Sequence, residues 1–332
     1  MVADPLSNLL RTVRLTGATF FDIVARDSWA VGSPARHSIL PKILPGADHL
    51  IAYHVVTAGR CFARIVGGEP IALEAGEVIV FTSGDPHIMS SSPALSADPP
   101  AADVLDIALA GQMPFHINYG SGGAGSTKLV CGYLACDAQP FNPLLEALPP
   151  VIKAGDPRDG DSGWLGQFIR FALAEVSEKR PGGNSVLTRL SELMFIGVLR
   201  HYIETLPPHK TGWLAGLRDP LIGKALALIH DQPAHHWTID TLAKQSGMSR
   251  TVFAERFAEL VGIPSMHYLA KWRMQVASEL LTDSNASLAR IAADIGYESE
   301  ATFSRAFKRL LGVPPSAWRL GVRAAGKAAP AK

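Results

Sequence analysis

The stretch WTIDTLAKQSGMSRTVFAERFAELVGIP, Trp237–Pro264, decides how the chain folds, because its pattern returns in IAADIGYESEATFSRAFKRLLGVPP, Ile291–Pro315. Phe253, Phe257, Leu260, Gly262 and Pro264 recur as Phe303, Phe307, Leu310, Gly312 and Pro314, each fifty positions later. Leu242, Ala243 and Gly247 recur as Ile291, Ala292 and Gly296, at an offset of forty-nine. The one-residue difference falls in the turn, where a loop absorbs it. An internal duplication of this kind marks two copies of one supersecondary unit.

Each copy reads helix, tight turn, helix. In the first, TIDTLAKQ stops at Gly247, which suits a left-handed position after a helix, and Ser249 is placed to cap the next helix. In the second, SLARIAADI stops at Gly296 and Ser299 caps again. A short glycine-bearing turn between two short helices is the helix-turn-helix signature. The second helix of each pair carries one apolar stripe, Phe253-Phe257-Leu260 and Phe303-Phe307-Leu310, which must turn inward. The opposite faces carry Arg250, Thr251, Ala254 and Glu255 in one copy. In the other they carry Ala301, Thr302, Arg305, Lys308 and Arg309. Small and polar residues near such a helix start approach base edges, and Arg or Lys reaches guanine or phosphate. A helical solenoid whose phenylalanines only pack would show the repeat, but would not need caps and turn glycines in phase. Between the copies, SMHYLAKWRMQVASELL forms a helix of about 17 residues, roughly 25 Å long. On such a strut the two recognition helices would enter successive major grooves, about 34 Å apart.

Working outward, the N-terminal part has a different texture. Asp4 and Pro5 open a short helix over Leu9, Leu10 and Val13. From about Thr16 to Asp137, short β-branched or alternating runs (HLIAYHVV, CFARIVGG, EVIVF, DIALA, KLVCGYL) are separated by Gly, Pro, Asp and Ser. They predict an antiparallel β barrel or jelly roll, with a surface loop over 92–103. WLGQFIRFALAEV and VLTRLSELMFIGVLRHYI then predict a helical hairpin between Trp164 and Ile203, followed by a linker from Leu206 to Trp213. The fold class expected is two-domain α+β: a β-rich unit over 1–150, the hairpin and linker over 151–214, the tandem helix-turn-helix over 215–323, and a disordered tail over 324–332.

Composition agrees with a globular protein of two domains, with 47% hydrophobic and 18% charged residues among 332. The net charge is only +1, but it is unevenly spread. Residues 1–150 hold 8 Lys/Arg against 13 Asp/Glu, and residues 215–323 hold 13 against 10, so the excess of cations lies where a polyanion would bind. Cys61, Cys131 and Cys136 are too few for a disulfide framework. MVADPLSNLL lacks a signal-peptide pattern and no run approaches a membrane span, so a reducing cytoplasm is expected.

The segments WTIDTLAKQSGMSRTVFAERFAELVGIPSMHYLAKWRMQVASELL and IAADIGYESEATFSRAFKRLLGVPPSAWR resemble the AraC/XylS family of bacterial transcription regulators. The resemblance covers about Asp219 to Arg323. It implies DNA-facing positions at Thr251, Ala254 and Glu255, and at Ala301, Thr302, Ser304 and Arg305. It also implies DNA, RNA polymerase and a small-molecule effector as partners, in a transcription activator rather than an enzyme. The helical hairpin between Trp164 and Ile203 is apolar enough to pack against a partner, and is expected to mediate homodimerisation or interdomain docking. FAERF departs from the family's Leu-x-Arg-x-Phe, placing Glu255 where an arginine is usual and Arg256 one position on. An acid there accepts from cytosine but repels phosphate, so the first helix is not expected to supply most of the affinity. The β-rich part is similar to the cupin sensor of one branch of this family. Gly76, Gly84 and His87 fit its second motif, with Thr82 in place of the usual proline, and the first motif is not recognisable.

His87 sits at a cupin ligand position. Alternation places His54 on one strand face with Leu50, Ala52 and Val56, and Cys131 on one face with Leu129 and Tyr133. His54, His87 and Cys131 are therefore a candidate site for Zn²⁺ or another transition metal, set against the plainer reading of hydrogen-bonded core histidines and a buried thiol. Two other functions remain open at this level: a cupin-class metalloenzyme with a helical accessory domain, and a scaffold that uses its helices for protein contacts. NYGSGGAGSTKL has glycines at phosphate-loop separation in Gly120 and Gly125. Lys128, however, follows Ser126 and Thr127 rather than preceding them, so a hairpin loop is expected. His235 and His236 read as surface residues. Trp272 and Trp318 read as packing, with Arg273 and Arg319 available for phosphate.

Overall fold

The structure, a computed structural model, describes residues 4–44, 47–97, 115–120, 126–138, 140–156, 158, 163–178, 180–207 and 209–328. In chain order, α1 (Pro5–Thr12) precedes β1 (Thr16–Arg26), β2 (Ala30–Ser33), α2 (Arg36–Ile43), β3 (His49–Ala58), β4 (Arg60–Ile65) and β5 (Ile71–Glu74). Then come β6 (Val78–Phe81), β7 (His87–Ser90), β8 (Phe115–Tyr119), β9 (Ser126–Cys136), α3 (Pro143–Ala147), β10 (Val151–Ala154), α4 (Trp164–Glu178) and α5 (Gly183–Thr205). The rest is helical: α6 (Trp213–Arg218), α7 (Pro220–Asp231), α8 (Ile239–Gln245), α9 (Arg250–Val261), α10 (Ser265–Asp283), α11 (Leu288–Asp294), α12 (Glu300–Leu311) and α13 (Pro315–Ala328). No described helix is long and apolar enough to cross a membrane.

The chain divides into two compact units that are discontinuous in sequence. One comprises Leu15–Cys136 and Leu148–Tyr202, and the other Met1–Arg14, Asp137–Ala147 and Ile203–Lys332. Residues 1–14 and 137–147, expected with the β-rich part, thus belong to the helical unit. The reason is packing: α1 buries Leu6, Leu9 and Leu10 on one face and lies against α7 and α10.

In the β-rich unit the described strands form two sheets. One has six strands in the order β10-β6-β3-β9-β1-β8, and the other has four in the order β2-β7-β4-β5. Sheet-rich architecture is therefore present, but no ladder among the described residues closes a barrel. One pair also departs from the antiparallel expectation, since β1 and β8 run parallel. A parallel neighbour cannot be joined by a hairpin, and residues 27–114 separate these two strands along the chain. The DIALA run, part of the 92–103 loop and residues 121–125 of the glycine-rich loop lie outside the described residues.

The central strands of the six-stranded sheet, β6 and β3 above all, are buried on both faces. Towards the other sheet, this sheet turns Phe21, His54, Val56, Ile79, Leu129 and Cys131, of which all but His54 fall in one core cluster. Its reverse face is covered by α5: Tyr53 Oη lies 2.6 Å from Ser191 Oγ, and the Gly17 amide donates to Glu192 Oε1 at 3.1 Å. A Cβ at Gly17 would stand 2.4 Å from the Thr188 carbonyl oxygen, so this close approach of strand and helix requires glycine. Thr82 explains its own departure from the cupin pattern. Its N–H donates to the Pro150 carbonyl at 3.0 Å and its hydroxyl to the Pro149 carbonyl at 2.5 Å, and a proline could make neither bond.

In the helical unit the duplicated signals act locally. Thr238 caps α8 and Ser249 caps α9; Ser287 caps α11 and Ser299 caps α12. Gly247, Gly262, Gly296 and Gly312 all take left-handed backbone after helices, with φ of 77°, 87°, 80° and 78°. Phe253, Phe257, Phe303 and Phe307 are fully buried. The strut α10 has 19 residues, hence a length of about 28 Å. Helix α13 runs to Ala328, so 324–328 are helical rather than a disordered tail; AAGKA is mostly alanine, the best helix former. Residues 329–332 lie outside the described residues.

Candidate nucleic-acid interface and buried histidine pair

Helices α9 and α12 present the same face of each repeat to solvent. Arg250, Thr251 and Glu255 are exposed and Ala254 is half-buried on α9; Ala301, Thr302 and Arg305 are exposed and Ser304 is half-buried on α12. Both helices begin with a serine that accepts from the backbone N–H three residues on, which sets the helix start where the candidate residues sit. The Thr302 hydroxyl lies 2.9 Å from Ser299 Oγ, so it is held against the cap.

The charges of the two helices differ. On α9, Arg250 pairs with Asp240 at 3.4 Å, and Arg256 pairs with Asp219, whose other oxygen caps α7 through Leu221 and Ile222. Two cations are thereby engaged, and Glu255 and Glu259 stand exposed beside them. On α12, Arg305 and Lys308 are exposed and have no ion pair among the described residues. The second helix thus holds the uncommitted positive charge. Arg273 and Arg319, read from sequence as phosphate candidates, are committed elsewhere. Arg273 donates to the Pro233 and His235 carbonyls at 2.7 and 2.9 Å, and Arg319 to the Ala286 carbonyl at 2.7 Å. Each ties down the loop that precedes a helix-turn-helix, an equivalence that the Trp-Arg pairs carried in the sequence. Trp272 packs against His230, with ring centroids 3.8 Å apart, while His235 and His236 are exposed.

In the β-rich unit, register aligns Phe21, Cys131, His54 and Ile79 in one row across β1, β9, β3 and β6. His87 enters from β7 of the other sheet, and its Nε2 lies 2.8 Å from His54 Nε2. His87 Nδ1 lies 3.0 Å from the Asp85 carbonyl, to which it can only donate. That fixes the tautomer: His87 Nε2 is an acceptor, and His54 Nε2–H donates to it. Burial pushes both imidazoles down, His54 well below its ordinary value and His87 to about 4. Burial likewise raises the Cys131 thiol, so all three groups are uncharged near neutrality.

His54, His87 and Cys131 line one cavity, as the strand alternation indicated. They do not form the expected metal site. The two Nε2 atoms satisfy each other directly, and no group of three His, Cys, Asp or Glu disposed to hold a metal is found among the described residues. What sequence reading missed is the pairing itself, together with Tyr119 and Trp29 in the same wall.

A cupin family description matches residues 4–204, and a helix-turn-helix domain description matches residues 242–321. A putative AraC-like transcription regulator of Streptomyces lividans is 32% identical over 324 residues, spanning 95% of this chain and 98% of that one. The transcriptional regulator AlkR of Acinetobacter baylyi is 28% identical, spanning 95% of this chain and 99% of its own. Among solved structures, the DNA-binding domain of AdpA in complex with a target DNA is 30% identical, covering 33% of this chain and 99% of that chain with a TM-score of 0.31.

Proposed function

This chain belongs to the AraC-like transcription regulators with a cupin-type N-terminal domain, and on that premise we propose how it reads DNA and what its β-rich unit senses. Thr251, Ala254 and Glu255 of α9, with Arg250 at its start, meet one major groove. Ala301, Thr302, Ser304 and Arg305 of α12 meet the next, with α10 as the spacer. Arg305 and Lys308 supply the larger electrostatic share, because the arginines of α9 are paired within the protein. The observation that carries this reading is the equivalence of the two exposed, serine-capped helix faces. Titrating the full chain against genomic DNA fragments at rising salt tests it. Affinity falls linearly with salt on logarithmic axes and one sequence is enriched. Salt-insensitive binding without enrichment would overturn it.

The β-rich unit binds a small-molecule effector in the cavity between its sheets, and occupancy changes DNA binding. The hairpin of α4 and α5 mediates homodimerisation: Phe171 is 68% exposed and Leu193 62%, unusual for large apolar side chains. The regulator works in the cytoplasm as an activator that contacts RNA polymerase.

A further inference from the structure

The wall of the cavity between the two sheets is chemically selective. Phe21, Trp29, Val31, Met89 and Leu129 make most of it, and among the described residues no Asp, Glu, Lys or Arg lines it. Its volume is about 120 Å³. An enclosed cavity of roughly 150 Å³ lined by aliphatic and aromatic side chains holds one benzene, so this one, which is partly open and can let a substituent project, takes a single small ring or a short chain. Several of its polar groups are satisfied already. Ser33 Oγ and Tyr133 Oη bond each other at 3.1 Å, and His87 is bonded at both nitrogens. Among the fully buried side-chain nitrogen and oxygen atoms of the described wall, His54 Nδ1 is the exception. With Nε2–H donated to His87, its Nδ1 is a bare acceptor, buried and without a partner among the described residues. An unmatched buried acceptor is costly and favours any occupant that brings a donor.

We propose that this cavity is the effector site and that it selects a small uncharged molecule, apolar over most of its surface, with one O–H or N–H donor for His54. The proposal rests on reading the β-rich unit as a sensor and narrows that reading to a ligand class. Among the described residues of the wall, a carboxylate would find no cation and an ammonium no anion. The histidines offer no charge either, since burial keeps both neutral through the physiological range. A sugar would leave several hydroxyls facing hydrocarbon, which disfavours entry.

Calorimetric titration of the full chain with four probes tests the ligand class: benzyl alcohol, toluene, benzoate and glucose. Benzyl alcohol binds saturably, toluene binds about tenfold more weakly for want of the donor, and benzoate and glucose give no heat of binding. The alcohol's advantage over toluene disappears in His54→Leu. Val31→Phe, which fills the cavity, removes binding of both. Should His54→Leu fail to fold, the wild-type ranking of the four probes still decides the matter. Binding of benzoate or glucose as tight as that of benzyl alcohol overturns the ligand class. Absence of binding by all four overturns the site, and unchanged alcohol binding by Val31→Phe does the same. DNA affinity measured with and without benzyl alcohol separates the two layers. Alcohol binding that leaves DNA affinity unmoved removes the sensor reading and the effector role, while the cavity's selectivity stands.

Discussion

Replacing Arg305 by alanine isolates the charge that α12 offers to DNA. The guanidinium is exposed and has no ion pair among the described residues, so its loss leaves the protein's own packing intact. A base or phosphate contact of this kind contributes about 1–3 kcal/mol. That corresponds to a loss of about five- to 150-fold in affinity. If the contact is to phosphate, the slope of log affinity against log salt also falls by about one. Arg256→Ala is the matched control. Its guanidinium is held by Asp219, so its removal should leave affinity and salt slope near those of the parent. Phe307→Ala marks the other extreme, since truncating a fully buried phenylalanine costs about 3–5 kcal/mol of folding stability. Fluorescence anisotropy on an enriched DNA site, at several salt concentrations and beside thermal melting, separates the three. If Arg256→Ala loses as much affinity as Arg305→Ala at unchanged melting temperature, the division of charge between the helices is wrong.

Three further outcomes follow from the geometry. The folded-state pKa of His87 is depressed from 6.5 to about 4, so the unfolded chain binds the extra proton between those values. Stability from this group is fully present above pH 6.5 and is lost as pH falls towards 4, by about 3 kcal/mol in all. Urea unfolding at pH 7 and pH 5 should show the slope, and His87→Gln should reduce it while leaving the part that the other buried histidines, His54 and His230, contribute; equal slopes in the two proteins would refute it. Thr82→Pro restores the usual cupin residue yet removes two hydrogen bonds, and should cost about 1–3 kcal/mol in thermal melting. The double substitution Phe171→Glu with Leu193→Glu should convert a dimer into a monomer by light scattering, and an unchanged mass would remove the hairpin from the interface.

The helical unit was legible in the sequence because each of its signals acts over a few residues. A serine caps the helix that follows it, a glycine ends the one before, and phenylalanines four apart share a face. The β-rich unit was less so. Its alternation put His54 and Cys131 on the correct inner face, but alternation says nothing about β1 pairing in parallel with β8, ninety-odd residues away. Nor does it say that α5 covers the reverse face, which buries Tyr53 and demands Gly17. Helix α1 shows the same limit. Its cap and apolar face were readable, whereas its partner, α7, is two hundred residues on.

The binding residues divide along the same line. Exposure of Thr251, Glu255, Thr302 and Arg305 followed from helical periodicity alone, since their stripe opposes the buried phenylalanines. Whether a given arginine is free for DNA did not follow, because Asp219 lies thirty-seven positions before Arg256. The histidine pair is the sharpest instance. In sequence, His87 occupies a metal-ligand position and His54 faces inward, so both look like donors to an ion. The Asp85 carbonyl, two residues before His87, fixes the tautomer that makes one imidazole accept from the other. Backbone carbonyls are identical in every sequence, so that bond leaves no trace in the choice of residues. Once it forms, two histidines that could have shared a metal become one satisfied ring and one ring with a bare nitrogen, and the site changes from one that would hold a cation to one that asks for a hydrogen-bond donor.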